Sequence, residues 1–185
     1  MTHFRIRSTL IIAILGITSL AENAQSPARR FSVPTGTVVV QPTSKGFFVG
    51  NIKKPGSLPP ENIYGESFMD LFEGKLESPF PGSTLKYSSP LDCSNEQSVV
   101  NDRGGAKAEV TLYEVIAVLQ GQKDGVLGPL LTDGGINVFF TRDSINELLT
   151  VSVYYGAGGW VLNAFPISGD RPRRDHYPCR VFVRN

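Results

Sequence analysis

The sequence predicts an α+β domain rich in strand: an antiparallel sheet with a C-terminal meander and one or two short helices packed on it. Three observations carry this prediction. Four runs late in the chain, Ile136 to Thr141, Leu148 to Tyr155, Gly159 to Phe165 and Arg180 to Arg184, are dense in β-branched and aromatic residues. In the second run Leu149, Val151, Val153 and Tyr155 fall on one side, and Thr150 and Ser152 on the other, which is the two-residue period of a strand. Gly156-Ala157-Gly158-Gly159 then makes a tight turn, so the second and third runs form an antiparallel hairpin. In the third run Trp160, Leu162 and Ala164 share a face, and Trp160 is the expected core anchor.

Earlier elements follow from local pattern. Thr37 to Gln41 and Gly46 to Gly50 are short Val- and Phe-rich runs around a Pro-Thr-Ser-Lys turn, and they predict a hairpin. Lys53 to Pro60 carries three prolines and two lysines and is expected to be a loop. Within Asn62 to Leu76, the spacing of Phe68, Leu71 and Phe72 predicts a short helix that ends near Gly74. Glu77 to Asp102 is rich in Ser, Pro, Gly and Asn, and is expected to be a long surface loop with a short strand near Leu85 to Tyr87.

Ala106 to Gln120 admits two assignments. Glu114 breaks the alternation that a strand needs among Val110, Leu112, Ile116 and Val118. A helix groups Ala108, Leu112, Val115, Ile116 and Leu119 on one face, and Gly121 follows where a helix cap prefers glycine. The β-branched content weakens the helix, which nonetheless remains the better fit. Gln120 to Gly135 holds five glycines and is expected to be a flexible turn. Its Asp124 and Asp133 match no calcium-loop spacing, and no phosphate-cradling Gly-Lys-Ser/Thr follows.

The N-terminus has the pattern of a cleavable export signal. Arg5 and Arg7 form a basic head, and the apolar stretch Leu10 to Leu20 is 11 residues long. A membrane-crossing helix needs roughly 20. Ser19-Leu20-Ala21 fits small-x-small cleavage, which sets the signal at residues 1–21, with a cut after Ala24 as the alternative. Residues 22–32 are then a flexible lead-in and 33–185 one compact domain. No later segment is long and apolar enough to be a transmembrane span, so a secreted or periplasmic location is expected.

Removing 21 of 185 residues leaves 164, and the loss of Arg5 and Arg7 leaves 16 basic against 17 acidic side chains. A near-neutral chain lacks the basic surface from which nucleic-acid binding draws its affinity, so no nucleic-acid partner is expected. The two cysteines, Cys93 and Cys179, are expected to pair in an oxidising compartment. They stand 86 positions apart. On the chain-entropy account, closing a loop of that length contributes on the order of 4–5 kcal/mol.

Candidate chemistry is sparse. His176 is the one histidine outside the signal, which removes metal sites built on several imidazoles; no metal and no cofactor are expected. A hydrolytic role for His176 with Asp170 or Asp175 is a weak candidate, because no Gly-x-Ser-x-Gly elbow occurs. Arg171, Arg173, Arg174 and Arg180 with Tyr177 form the most basic stretch. Of these, Arg173, Arg174, Arg180 and Tyr177 are the candidate contacts for an anionic ligand, since guanidinium pairs oxyanions bidentately. Carboxylate pairs such as Asp70 with Glu73, or Glu109 with Glu114, suit glycosidase chemistry on paper, but spacing alone does not select them. Phe47, Phe48, Tyr154 and Tyr155 are aromatic candidates for sugar stacking. The function expected from all this is an exported non-enzymatic module that binds a protein, a glycan or an envelope component. The alternatives are a small exported hydrolase using His176, and a secreted inhibitor or effector with a braced contact loop near Cys93.

Overall fold

The structure, a computed structural model, describes residues 36–49, 63–89, 96–102, 105–167 and 178–185. The expected signal, the lead-in and the Lys53 to Pro60 loop lie outside the described residues. Along the chain come β1 (Gly36–Val40), β2 (Phe47–Phe48), β3 (Ile63–Tyr64), α1 (Glu66–Phe72), β4 (Leu76–Glu77), β5 (Ser83–Ser88) and α2 (Glu96–Asp102). A 3-10 turn at Gly105–Lys107 leads to α3 (Leu112–Gly121), then β6 (Ile136–Arg142), β7 (Leu148–Gly156), β8 (Gly159–Pro166) and β9 (Cys179–Arg184).

Seven strands form one sheet in the order β1-β5-β9-β6-β7-β8-β3, while β2 and β4 make a separate pair. The fold is α+β, as the sequence predicts. The four late runs are β6 to β9, and the glycine turn joins β7 to β8 with Gly156 opposite Gly159. The sheet is mixed: β9 lies parallel to β6, and β3 lies parallel to β8. No turn signal in the sequence encodes a pairing between strands so far apart along the chain.

Period-two patterning puts apolar side chains on both faces of the central strands. On one face Phe139, Leu149, Val151, Val153, Trp160, Leu162, Ala164 and Phe182 meet Phe68 and Phe72 of α1 and Leu112, Val115, Ile116 and Leu119 of α3. On the other, Val138, Phe140, Val181 and Val183 meet Val99 and Val100 of α2 and Ala108. Burying a leucine- or phenylalanine-sized side chain contributes about 1.5–3 kcal/mol, so both layers hold the sheet. Phe68 and Phe72 lie one helical turn apart with ring centroids at 4.8 Å, which is how α1 presents one face to β8.

Three expectations are corrected. The early hairpin does not form: β1 pairs with β5, and β2 pairs with β4. β1 is thereby an edge strand of the main sheet, with Val38 and Val40 turned to the α3 side. Residues Glu77 to Asp102 are more than a surface loop, because β5 sits between β1 and β9 and α2 covers a sheet face. Alternation decides this: in β5, Leu85 is fully buried among polar neighbours that face away. The third helix starts at Leu112, not at Ala106, because residues 109 and 110 run along β6; Glu109 bridges Phe140, and Val110 N–H donates to the Phe140 carbonyl at 2.8 Å.

The register fixes two ends of the sheet. One carries the starts of β6 and β9 and the β7–β8 turn. The other carries the β6–β7 turn, the end of β1 and the start of β5.

Candidate functional site

The segment from Gln122 to Leu131, which leaves α3 at the β7–β8 end of the sheet, is held by its own Gln122 and by side chains from three strands. The Gln122 carboxamide is buried, with 1% exposure. Its Nε2 donates to the carbonyls of Val126 at 2.6 Å and Leu130 at 2.9 Å, and its Oε1 accepts from Leu130 N–H at 2.8 Å. Asn137 on β6 is fully buried and grips the far end: its Oδ1 accepts from Leu131 N–H at 2.8 Å, and its Nδ2 donates to the Leu131 carbonyl at 3.1 Å. Trp160 Nε1 on β8 donates to the Gln122 carbonyl at 2.9 Å. Arg180 on β9 donates to the Pro129 carbonyl, with its guanidinium 4.9 Å from the centroid of the Tyr87 ring.

Buried amides are costly unless they are paired, so these bonds select one loop conformation. Gly125 is required there: its φ is 63°, and a Cβ would run into the Tyr155 ring. Between the clamps the chain turns outward. Val126 is 57% exposed and Leu127 is 97% exposed, while Leu130 is buried in the core at 2%. The glycine-rich stretch is therefore a braced loop with an apolar tip, where composition alone suggested a flexible turn.

At the opposite end, the chain gathers charge around the start of α3. Thr111 and Glu114 form a reciprocal capping box: Glu114 N–H donates to Thr111 Oγ1 at 3.2 Å, and Thr111 N–H donates to Glu114 Oε2 at 2.5 Å. Glu114 has no exposure, and it also accepts from Ser83 of β5 and from Arg184 of β9 at 2.6 Å. A second buried carboxylate, Glu77 on β4, accepts from Leu112 N–H at 3.0 Å and lies 3.6 Å from Lys75 Nζ. Burial pushes the Glu77 carboxyl above its ordinary value; the Lys75 charge and the Leu112 N–H pull the other way, and the nearby Glu114 adds to the rise. Carboxylates at a helix N-terminus also meet its positive dipole end. Each of the two carboxylates accepts from protein donors, so the cluster ties β4, β5, β9 and α3 together.

The candidates named from sequence scatter. His176, Arg171, Arg173, Arg174, Tyr177, Asp170, Asp175 and Cys93 lie outside the described residues. Arg180 is a strut beneath the braced loop, in contact with Pro129 and Tyr87. Cys179 is buried at the start of β9 and is not a free thiol. Asp70 and Glu73 are exposed on and just after α1. Glu109 and Glu114 do not face each other as a pair: Glu109 takes a bidentate bond from Arg142, and Glu114 is buried in the capping network. The side chains of Phe47 and Phe48 lie outside the described residues, whereas Tyr154 and Tyr155 are half-buried, the latter edge-on to Trp160. Sequence reasoning missed Gln122, Asn137 and Glu77, since a lone amide or carboxylate carries no pattern. Among the described residues no cluster of His, Cys, Asp and Glu is arranged to hold a metal, and no helix is long and apolar enough to cross a membrane.

A shallow groove completes the description. It has a volume of about 630 Å³ and is walled by Pro42, Thr43, Ser44, Pro79, Phe80 and Pro81. Thr43 and Phe80 bridge its floor through two backbone bonds of 2.7 and 3.1 Å. No protein family, curated protein or solved structure matches this chain.

Proposed function

We propose that the chain is an exported, non-enzymatic binding module that engages a protein partner through the Gln122–Leu131 loop. The braced apolar tip carries this reading: buried side chains fix the loop, yet Leu127 is 97% exposed at its crest. Association costs entropy for every segment it orders, and a loop already fixed avoids much of that cost. An apolar side chain held out on a rigid mount is suited to fill a partner's pocket. Export is supported by the N-terminal basic head and the 11-residue apolar stretch. A Cys93–Cys179 disulfide is part of the same proposal. It is supported by the buried, non-free state of Cys179 in a chain that has two cysteines.

The anion-binding alternative loses one of its members, because Arg180 is already engaged below the loop. No observation among the described residues favours a hydrolase built on His176. The test is sedimentation of the purified chain with the envelope fraction of the cells that make it. Retention should survive added salt, which screens charge contacts but not apolar ones. The variant Leu127→Asp should lose about tenfold in retention, a change equivalent to ~1.4 kcal/mol. Equal retention of wild type and variant would overturn the assignment of the tip as the contact.

A further inference from the structure

The main sheet ends on β1 at one side and on β3 at the other, and of the two only β1 is long enough to template a further strand. The register tells which of its backbone groups are engaged. Asn185 N–H donates to the Thr84 carbonyl at 3.0 Å, so Thr84, Lys86 and Ser88 turn their backbone groups toward β9. Ser83, Leu85 and Tyr87 therefore bond to β1, through their partners Val40, Val38 and Gly36. That leaves the N–H and C=O groups of Thr37 and Val39 pointing out of the sheet. Both residues are exposed, Val39 at 62%, and no described residue takes up these groups. We infer that β1 pairs antiparallel with β1 of a second copy about a two-fold axis at Val38, which joins the two main sheets into one. The contact is separate from the one proposed for the Gln122–Leu131 loop.

The edge is matched to itself. Thr37 and Val39 stand one position either side of Val38, so the axis sets Thr37 opposite Val39 of the second copy and Val39 opposite its Thr37. Each such pair exchanges two bonds, which uses every outward group of both residues. Pro34 and Pro42 stand four positions either side of the same Val38. A ladder centred there runs between the prolines, whereas a shifted one sets a proline against the neighbouring strand. Thr37, Val38 and Val39 are all β-branched, and cross-strand pairs of such residues favour a seam. A foreign peptide could also bond the edge, but it would draw specificity from side-chain pockets. Outward groups and prolines that share one centre are met by a copy of this strand.

Charge permits the same pairing. Edge strands that stay alone are blunted by lysine, proline or a bulge. Gly36–Val40 holds no ionisable side chain and no proline, and it pairs with β5 without interruption. On β5, Lys86 lies opposite Thr37. Its counterpart in the second copy stands three strand spacings away, roughly 14 Å at ~4.8 Å per strand. That exceeds the screening length of about 8 Å in physiological salt, so like charges do not oppose the seam. The contact is isologous and closes at a dimer.

The experiment is sedimentation equilibrium of the purified chain from about 1 μM to 1 mM, with variants at the seam. Wild type should gain mass toward a dimer, and Leu127→Asp should do the same. Val39→Pro should remain monomeric; the Val39 N–H points outward, so proline there costs β1 no bond to β5. Val38→Cys should give a covalent dimer on oxidation, because residues paired without hydrogen bonds have Cα atoms ~4.5 Å apart, within disulfide reach. Val39→Cys should not, because the two Val39 positions are diagonal neighbours at ~7–8 Å. A wild type that stays monomeric overturns the inference and leaves the edge to a peptide of another protein. So does a Val39→Pro variant that is folded by circular dichroism and still associates as wild type does. Should the proline variant unfold, the cysteine pair decides alone: cross-linking of Val39→Cys as readily as Val38→Cys overturns the axis at Val38. Retention on the envelope fraction through Leu127 is read independently, so the loop contact stands or falls by its own test.

Discussion

A carboxylate buried at the foot of a helix tells on stability through its proton. Glu77 has its pKa raised by burial, above the ordinary carboxyl value of 4.5. Between that value and the raised one, the folded chain binds more protons than the unfolded chain does. Its contribution to stability is thus fully present below the unfolded pKa and is lost as pH rises through the folded one. Glu77→Gln keeps an oxygen to accept the Leu112 N–H but carries no charge to desolvate. Urea melts between about pH 4 and pH 8 should show the variant gaining on wild type as pH rises, with the two curves converging toward the acid limit. A constant offset across that range would mean that Glu77 does not titrate where burial puts it. Nothing in the sequence marked this residue, since its effect depends on nearby Lys75 and on the distant Leu112 and Glu114 meeting around it.

The loop between α3 and β6 shows what one buried amide does for a whole element. Asn137→Ala removes both bonds to Leu131 and leaves that half-buried backbone short of partners. The expected loss is roughly 2–4 kcal/mol in urea unfolding, with faster amide exchange from Val126 to Leu131. Unchanged exchange there would show that Gln122, Trp160 and Arg180 hold the loop without Asn137. At this scale the sequence was legible in part. Strands β6 to β9 and helix α1 announce themselves, because their apolar residues recur at the period of the element. The start of α3 was misplaced at Ala106: Thr111 and Glu114 stand at capping-box spacing, but Glu114 entered the reading as a break in strand alternation and as one of a carboxylate pair. The braced loop was not legible, because glycine content signals backbone freedom, whereas order there comes from the buried Gln122 within the run and from Asn137, Trp160 and Arg180 outside it.

For the molecule as a whole, composition and alternation were enough for the α+β class, and strand pairing was not. Hairpin partners sit close in sequence and carry their own turn, as β7 and β8 do. β9 has partners at β5 and β6, and β1 skips past four elements to reach β5, so those contacts are set by the packing of both faces. The candidate site was harder to read: its loop joins α3 directly to β6, but the Trp160 and Arg180 side chains that also hold it come from 38 and 51 positions along the chain. A chain ending at Pro178 should lose cooperative unfolding altogether, as a flat urea transition monitored through Trp160 fluorescence would show, because the sheet would be cut between β5 and β6.

That central place of β9 has a consequence in time. β9 follows the other described strands in the chain yet sits in the middle, so during synthesis the seam between β5 and β6 stays open until β9 emerges. Until then the two halves of the sheet share no strand pairing, and the contacts that join them are long-range ones, the kind that form slowly.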